Sequence, residues 1–383
     1  MDMPSTHNAE LELFRDNVKK FLQAEIAPNY GEWEKAGIIP RDTWRKFGEN
    51  GLLCVDTPEE FGGIGAPFDF SCVVLEEVSR AGFGALGANL AVHSDIVAPY
   101  ITHLGTPEQK KHYLPKLVTG EFVGAIAMTE PGAGSDLQGA KTTAILDGGD
   151  YLISGSKTFI TNGQHADVVI TFTKTDPSAK ARGTTLFLVE TTTQGFARGR
   201  NLEKIGQHCG DTSELFYDNV RVPASAVLGA IGNGFGHLVD ELARERLTLA
   251  VGAIGAADGM LAMTIDYVKS RKAFGQALST FQNTRFEIAK MQTDVEINRA
   301  FVEKCAVAYA AGKLDGAGAA MVKLAATEMQ CRVADGCLQL FGGYGFMSEY
   351  PISRHFTDAR VQRIYGGTSE IMKEVIARSL LGR

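Results

Sequence analysis

The apolar residues of this chain change their period twice, and that ordering restricts the fold more than any single motif does. Up to about residue 120 they recur every three or four positions, as on helix faces. From about 121 to 230 they come in short β-branched runs, and from about 234 the helical period returns. Helices, then strands, then helices is incompatible with an alternating βαβ sheet. It implies an α+β chain, mostly α: an N-terminal helical domain (1–120), a middle antiparallel β domain (121–230) and a C-terminal helical domain (231–383). A length of 383 residues suits two or three packed units.

Local signals support each segment. Leu11, Phe14, Val18, Phe21 and Leu22 keep a helical spacing that ends near Pro28, and Thr106-Pro107-Glu108-Gln109 has the form of a capping box. Glu60 to Gly65 forms a loop. In the middle segment, Val168–Thr173 and Thr185–Val189 predict strands, separated by turns at 147–150, Asn162-Gly163 and Asp218-Asn219. The last segment predicts helices over roughly 235–270, 280–311, 315–341 and 368–381.

Composition narrows the function. A content of 44% apolar and 22% charged residues is ordinary for a soluble globular chain. The net charge of −7 without a long basic stretch argues against nucleic acid as partner. No apolar run reaches the roughly 18 residues of a membrane span, and Met1 to Phe14 has neither the basic nor the apolar region of a secretory signal. The six cysteines form no CxxC pair and the eight histidines no HxxxH or HxH, so no metal site is expected, and the thiols read as free in a reducing compartment.

Three places are out of keeping with a plain scaffold. On a helical wheel with Leu238 at zero, Leu242 falls near about 40°, Leu249 near about 20° and Glu245 near about −20°. Glu245 thus sits in the middle of an apolar stripe, with Arg246 at its border. A carboxylate there is either half of a structural Glu–Arg pair or a group whose pKa is raised for a purpose. The second place is Met128-Thr129-Glu130-Pro131-Gly132-Ala133-Gly134-Ser135-Asp136, where small residues let backbone N–H groups approach a ligand. It fits neither the Rossmann nor the Walker spacing, and by itself such a stretch is a turn more often than a cofactor loop. In the third, Tyr365-Gly366-Gly367-Thr368-Ser369-Glu370, two glycines lead into a helix start capped by Thr368 or Ser369. That geometry suits a phosphate, an oxyanion or an ordinary cap. Gly342-Gly343-Tyr344-Gly345 reads as a break between helices.

Taken in order, these motifs resemble the acyl-CoA dehydrogenase family from about residue 8 to 383, most closely its long-chain members. Ala127 to Asp136, Phe159-Ile160-Thr161-Asn162-Gly163, Arg271-Lys272-Ala273-Phe274-Gly275, Gln339-Leu340-Phe341-Gly342-Gly343 and Tyr365 to Glu370 carry the likeness. The resemblance implies that the C-terminal domain is a four-helix bundle, that the chain forms a homotetramer and that FAD is the cofactor. Met128, Thr129, Ser135, Phe159, Ile160 and Thr161 would contact the flavin. Arg271, Phe274, Gln282, Gln339, Leu340, Gly342 and Gly343 would hold the FAD of a neighbouring subunit, and Thr368, Ser369 and Glu370 its pyrophosphate and adenosine side. Ser135, Arg246, Tyr365 and Gly367 would face an acyl-CoA. Phe159 replaces the Trp of many relatives.

Many relatives carry a catalytic glutamate at the position of Gly366, which has no side chain to take a proton. The long-chain and isovaleryl branches instead place the base at the position of Glu245, the residue the wheel already isolates. The resemblance then implies α,β-dehydrogenation of a long-chain acyl-CoA, straight or branched, to the trans-2-enoyl-CoA. Glu245 would take the α-proton, the Gly366 N–H would hold the thioester oxygen, and electrons would pass to electron-transfer flavoprotein. The vacated Gly366 loop would leave room for long or branched chains. An acyl-CoA oxidase and a catalytically silent FAD- and acyl-CoA-binding homologue are the alternatives. A cytoplasmic location, in a bacterium, is expected, with a processed mitochondrial matrix form as the other option.

Overall fold

The computed structural model describes residues 5–382. The first helical segment becomes α1 (Ser5–Phe21), α2 (Ala27–Ala36), α3 (Asp42–Glu49), α4 (Phe68–Arg80), α5 (Gly84–Leu90), α6 (Ala98–Leu104) and α7 (Pro107–Val118). Thr106 starts α7 as its spacing predicted. Its hydroxyl accepts the Gln109 N–H at 3.2 Å, and the Gln109 side chain accepts the Thr106 N–H at 3.0 Å. The Gln109 amide then donates to the carbonyls of Ser225 and Val227, at 2.8 and 2.9 Å, fastening the helices to the end of the sheet.

A single proline shapes the entry to α6. Pro99 has no N–H, and its ring would press on the carbonyl four residues back, that of Asp95. The turn before it, Ala91–Val97, widens to a π-helix. The carbonyl of Asp95, released from the helix ladder, accepts the Arg244 Nε at 3.0 Å.

The middle segment is an eight-stranded sheet of β1 (Gly124–Ala127), β2 (Thr143–Asp147), β3 (Asp150–Thr161), β4 (Val168–Lys174), β5 (Thr184–Glu190), β6 (Phe196–Asn201), β7 (Thr212–Pro223) and β8 (Val227–Leu228). Its order is β6-β7-β3-β2-β4-β5-β8, with β1 beside β4. The expectation of a wholly antiparallel domain needs correcting. β1 runs parallel to β4, Gly124 opposite Val168 through Ala127 opposite Thr171, and β2 meets β4 in parallel at Thr143 and Lys174. The chain between β1 and β4, which includes the β2–β3 hairpin, is long enough to make the crossover a parallel pair requires. It leaves β1 directly into the 128–136 loop.

The last segment supplies α8 (Gly234–Ser270), α9 (Gln282–Ala310), α10 (Gly316–Phe341), α11 (Pro351–Ala359) and α12 (Ser369–Leu381), within two residues of the predicted ends of its four long helices. α8, α9 and α10 pack on one another and α12 packs on α10. α8 is long and apolar enough to cross a bilayer by length and composition. Yet 72% of that apolar stretch is buried, so it is the core helix of the fold. It also seats against α4 through glycines. A Cβ on Gly255 or Gly259 would lie 2.3 or 2.0 Å from the carbonyl oxygen of Glu76 or Arg80. The six cysteines are free.

Candidate active site

Glu245 lies on α8 where that helix passes between the N-terminal helices and the sheet. The preceding residue anchors the turn. The Arg244 guanidinium is buried against Asp56 and Asp95, with Nη2 3.0 Å from Asp95 Oδ1, and stacks over the Phe68 ring at 4.9 Å. Glu245 itself is 5% exposed, and its Oε1 accepts a hydrogen bond from the Tyr100 hydroxyl at 2.9 Å. Burial pushes the carboxyl up to about 7, while the Tyr100 hydrogen bond and the Arg246 charge pull the other way and Glu241 pushes up. Burial and the adjacent Glu245 raise the Tyr100 phenol well above its ordinary value, so it remains a donor. Arg246 thus opposes the rise of its neighbour. Its Nε is buried without a hydrogen-bond partner, and burial lowers the pKa of the guanidinium.

Glu245 opens into a cleft of about 760 Å³ between the helical segments and the sheet. Its apolar walls include Ile96, Ile126, Leu238, Leu242 and Val375. The cleft gathers eleven residues singled out in the sequence: Met128, Thr129, Ser135, Phe159, Ile160, Thr161, Glu245, Arg246, Tyr365, Gly366 and Gly367. Arg271, Phe274, Gln282, Gln339, Leu340, Gly342 and Gly343 do not line it. They belong to the end of the helical domain where α8, α9 and α10 begin or stop, with the Arg271 guanidinium 4.9 Å over the Tyr344 ring and Phe274 95% exposed. Thr368 caps α12, accepting the Ile371 N–H at 3.3 Å. The Ser369 hydroxyl donates to Glu328 at 2.7 Å, so toward a cofactor it could only accept, leaving the backbone N–H as the donor there. Glu370 is exposed in the first turn of α12.

The loop at Gly366 differs from expectation in one respect. The space vacated by a side chain there is not open. A Cβ on Gly366 would sit 2.5 Å from Leu249 Cδ1, one turn along α8 from Glu245. Leu249 occupies that position, so a side chain at 366 would require the end of the Leu249 side chain to turn aside. Gly366 and Gly367 both have positive φ, 63° and 97°. The Gly367 carbonyl accepts the Nζ of Lys323 at 2.7 Å, from a lysine with no exposed surface that burial lowers to about 8. Sequence reasoning missed Tyr100, Lys323 and the place of Leu249 against Gly366. Each acts through a contact spanning 44 to 145 residues, and neither periodicity nor motif spacing marks such partners.

The sheet side of the cleft is stiff and offers a flat apolar surface. Lys157 is wholly buried, and its Nζ donates to Glu130 Oε1 at 2.9 Å and to the Met128 carbonyl at 3.1 Å. Glu130 also accepts the N–H groups of Lys141 and Thr142, which fixes the 128–136 loop. A register shift between Lys157 and Ile160 puts Phe159 at φ 59°, leaving its ring 67% exposed at the cleft wall. The hydroxyls of Thr129, Ser135 and Thr161 make no hydrogen bond among the described residues. An exposed aromatic face, free hydroxyls and a large apolar cleft fit a planar ring system with polar edges.

The chain matches, in order, the acyl-CoA dehydrogenase N-terminal domain over residues 8–121, the middle domain over 125–220 and the C-terminal domain over 232–381. The chain belongs to the acyl-CoA dehydrogenase family. It is 48% identical to the mitochondrial long-chain specific acyl-CoA dehydrogenase of Sus scrofa over 98% of this chain and 87% of that protein. The crystal structure of an acyl-CoA dehydrogenase from Geobacillus kaustophilus superposes with a TM-score of 0.94 at 48% identity, covering 97% of this chain and 98% of that one. A Mycobacterium smegmatis glutaryl-CoA dehydrogenase in complex with FADH2 superposes at 0.92 with 30% identity, over 98% and 95% of the two chains. The chain is therefore an oxidoreductase of this family and an FAD enzyme, and the cleft walls suit that cofactor.

Proposed function

We propose that this protein oxidises a long-chain acyl-CoA, straight or branched, to its trans-2-enoyl-CoA, with Glu245 as the base. The observation that carries the reading is a carboxylate buried in an apolar cleft, raised to about 7 and held by Tyr100. A base near neutrality both exists as carboxylate at working pH and has the proton affinity to take a weakly acidic α-hydrogen. Glu245 takes the α-proton. Bound FAD supplies the acceptor for the β-hydrogen, which leaves with its electron pair as the C=C bond forms. The negative charge developing on the thioester oxygen is met by the Gly366 N–H, a backbone donor that persists whatever side chain the position carries. Arg246 adds positive charge on the cleft wall, and Lys323 holds the Gly367 carbonyl of the same loop.

Phe159 would pack against the flavin ring, with Met128, Thr129, Ser135, Ile160 and Thr161 around it. Arg271, Phe274, Gln282, Gln339, Leu340, Gly342 and Gly343 would serve the flavin of a second copy. The exposure of all but the half-buried Leu340, away from the cleft, supports that reading, and the assembly would be a homotetramer. Electron-transfer flavoprotein would take the electrons, and the enzyme would work in the cytoplasm of a bacterium. The test is a series of saturated acyl-CoAs assayed with electron-transfer flavoprotein and, separately, with oxygen alone. A long-chain optimum that depends on the flavoprotein is expected. A sharp optimum at butyryl-CoA would refute the substrate assignment, and full turnover on oxygen would refute the acceptor.

A further inference from the structure

Behind the cleft lies a second, smaller chamber of different chemistry. It shares Ala88, Ala91, Thr248, Leu249 and Tyr365 with the main cleft, so these residues form a wall common to the two. The cleft is walled mainly by aliphatic and aromatic side chains, whereas the far chamber is ringed by Gln207, Gln330, His355, Asp358, Gln362 and Tyr365. Three of these carry a buried atom that lacks a hydrogen bond. Gln330 Oε1, Gln362 Oε1 and His355 Nε2 are buried and make no hydrogen bond, and Gln330 and His355 are 4% and 6% exposed as residues. Buried polar atoms are costly to leave unpaired, so three on residues that line one cavity indicate a ligand or solvent that pairs them.

The chamber stays open because small residues face it. Gly84 and Gly87 on α5 and Gly252 on α8 line it, and a Cβ at 84 would come 2.9 Å from Asp358 Oδ2. Its volume is about 30 Å³, room for about two water oxygens at the ~10–15 Å³ each requires. The vacant atoms include two amide oxygens, which only accept, and an imidazole nitrogen, which accepts or donates. His355 is held neutral, its pKa lowered to about 4 by burial. Among the described residues no lysine or arginine lines the chamber: the Arg354 guanidinium lies over the Tyr30 ring at 5.0 Å, with its Nε donating to the Gly82 carbonyl. A carboxylate would therefore enter beside Asp358, facing a guanidinium already committed to Tyr30 and Gly82. A hydroxyl both donates and accepts, and it fits.

We infer that the chamber is a recognition site for a hydroxyl group on the distal part of the acyl chain, making hydroxylated acyl-CoAs preferred substrates. The inference rests on the acyl-CoA dehydrogenase activity proposed above and adds the class of chain. Methyl-terminated, terminally hydroxylated and terminally carboxylated acyl-CoAs, matched in length from medium to long, are compared on the FAD-loaded enzyme by kcat/KM and by calorimetric binding. At lengths that reach the chamber, the hydroxylated chain should exceed the methyl-terminated one by about tenfold in kcat/KM and in affinity, the scale of one or two buried hydrogen bonds. The carboxylated chain should be the poorest. Gln330→Leu and, separately, His355→Leu should remove the preference while methyl-terminated chains still turn over. Equal or lower values for hydroxylated chains at every length would overturn the inference and leave the chamber holding only water. Preferential binding without turnover of any chain would instead overturn the activity and retain the site.

Discussion

Replacing Glu245 by glutamine should stabilise the protein at alkaline pH while destroying its activity. Burial raises the carboxyl from 4.5 to about 7, so between those values the folded state holds a proton the unfolded chain has released. Stability then falls as pH rises through that window and is constant above it, the reverse of the ordinary salt-bridged carboxylate. At ~1.36 kcal/mol per pH unit, the charged form costs the fold about 3 kcal/mol above pH 7 and under about 1 kcal/mol near pH 5. Glutamine keeps an oxygen to accept from Tyr100 and carries no charge at any pH. An unpaired amide group gives a constant penalty of about 1–2 kcal/mol, which cancels between pH values. An unfolding entropy of ~2.1 cal/mol/K per residue amounts to ~0.8 kcal/mol/K for this chain length. The Tm difference between Glu245→Gln and the parent should therefore grow by about 3 °C from about pH 5 to pH 8. Calorimetric melts of the FAD-saturated pair at both pH values measure it. A difference that does not change with pH would refute the buried, raised carboxyl.

Two other substitutions probe the same site. Tyr100→Phe removes the hydrogen bond that favours the charged form, so the Glu245 pKa should rise and the acid limb of the kcat/KM profile should move to higher pH, lowering the rate near neutrality. An unmoved limb would show that the hydrogen bond does not reach the base. Gly366→Ala must place a Cβ 2.5 Å from Leu249 at φ 63°, and should lose about 1–3 kcal/mol in denaturant unfolding. Combining it with Leu249→Ala should relieve the steric part, and additive losses would refute the contact.

Much of this architecture was legible in the chain because it is written locally. The Thr106 capping box and the long apolar periods of α8, α9 and α10 each depend on residues a few positions apart. The parallel placement of β1 was not legible, since strand direction depends on a crossover and not on alternation. Glu245 was legible because a charge breaks a helical stripe. Its donor Tyr100 was not, because a tyrosine in an apolar helix carries no mark of what its hydroxyl meets 145 residues later. The Gly366 loop looked roomy for the same reason: glycine shows what is absent from its own position, not that Leu249 occupies the gap. Gln330, His355 and Gln362 sit on ordinary helical segments, and only the fold brings them to the wall of one chamber.

The central claim is that Glu245 is the base, and anaerobic single-turnover reduction of bound FAD by a saturated long-chain acyl-CoA tests it most directly. Glu245→Gln should bind FAD and acyl-CoA yet bleach the flavin at least about 10²–10⁴-fold more slowly than the parent, the usual contribution of a positioned base. Bleaching by Glu245→Gln within a few-fold of the parent rate would contradict the account.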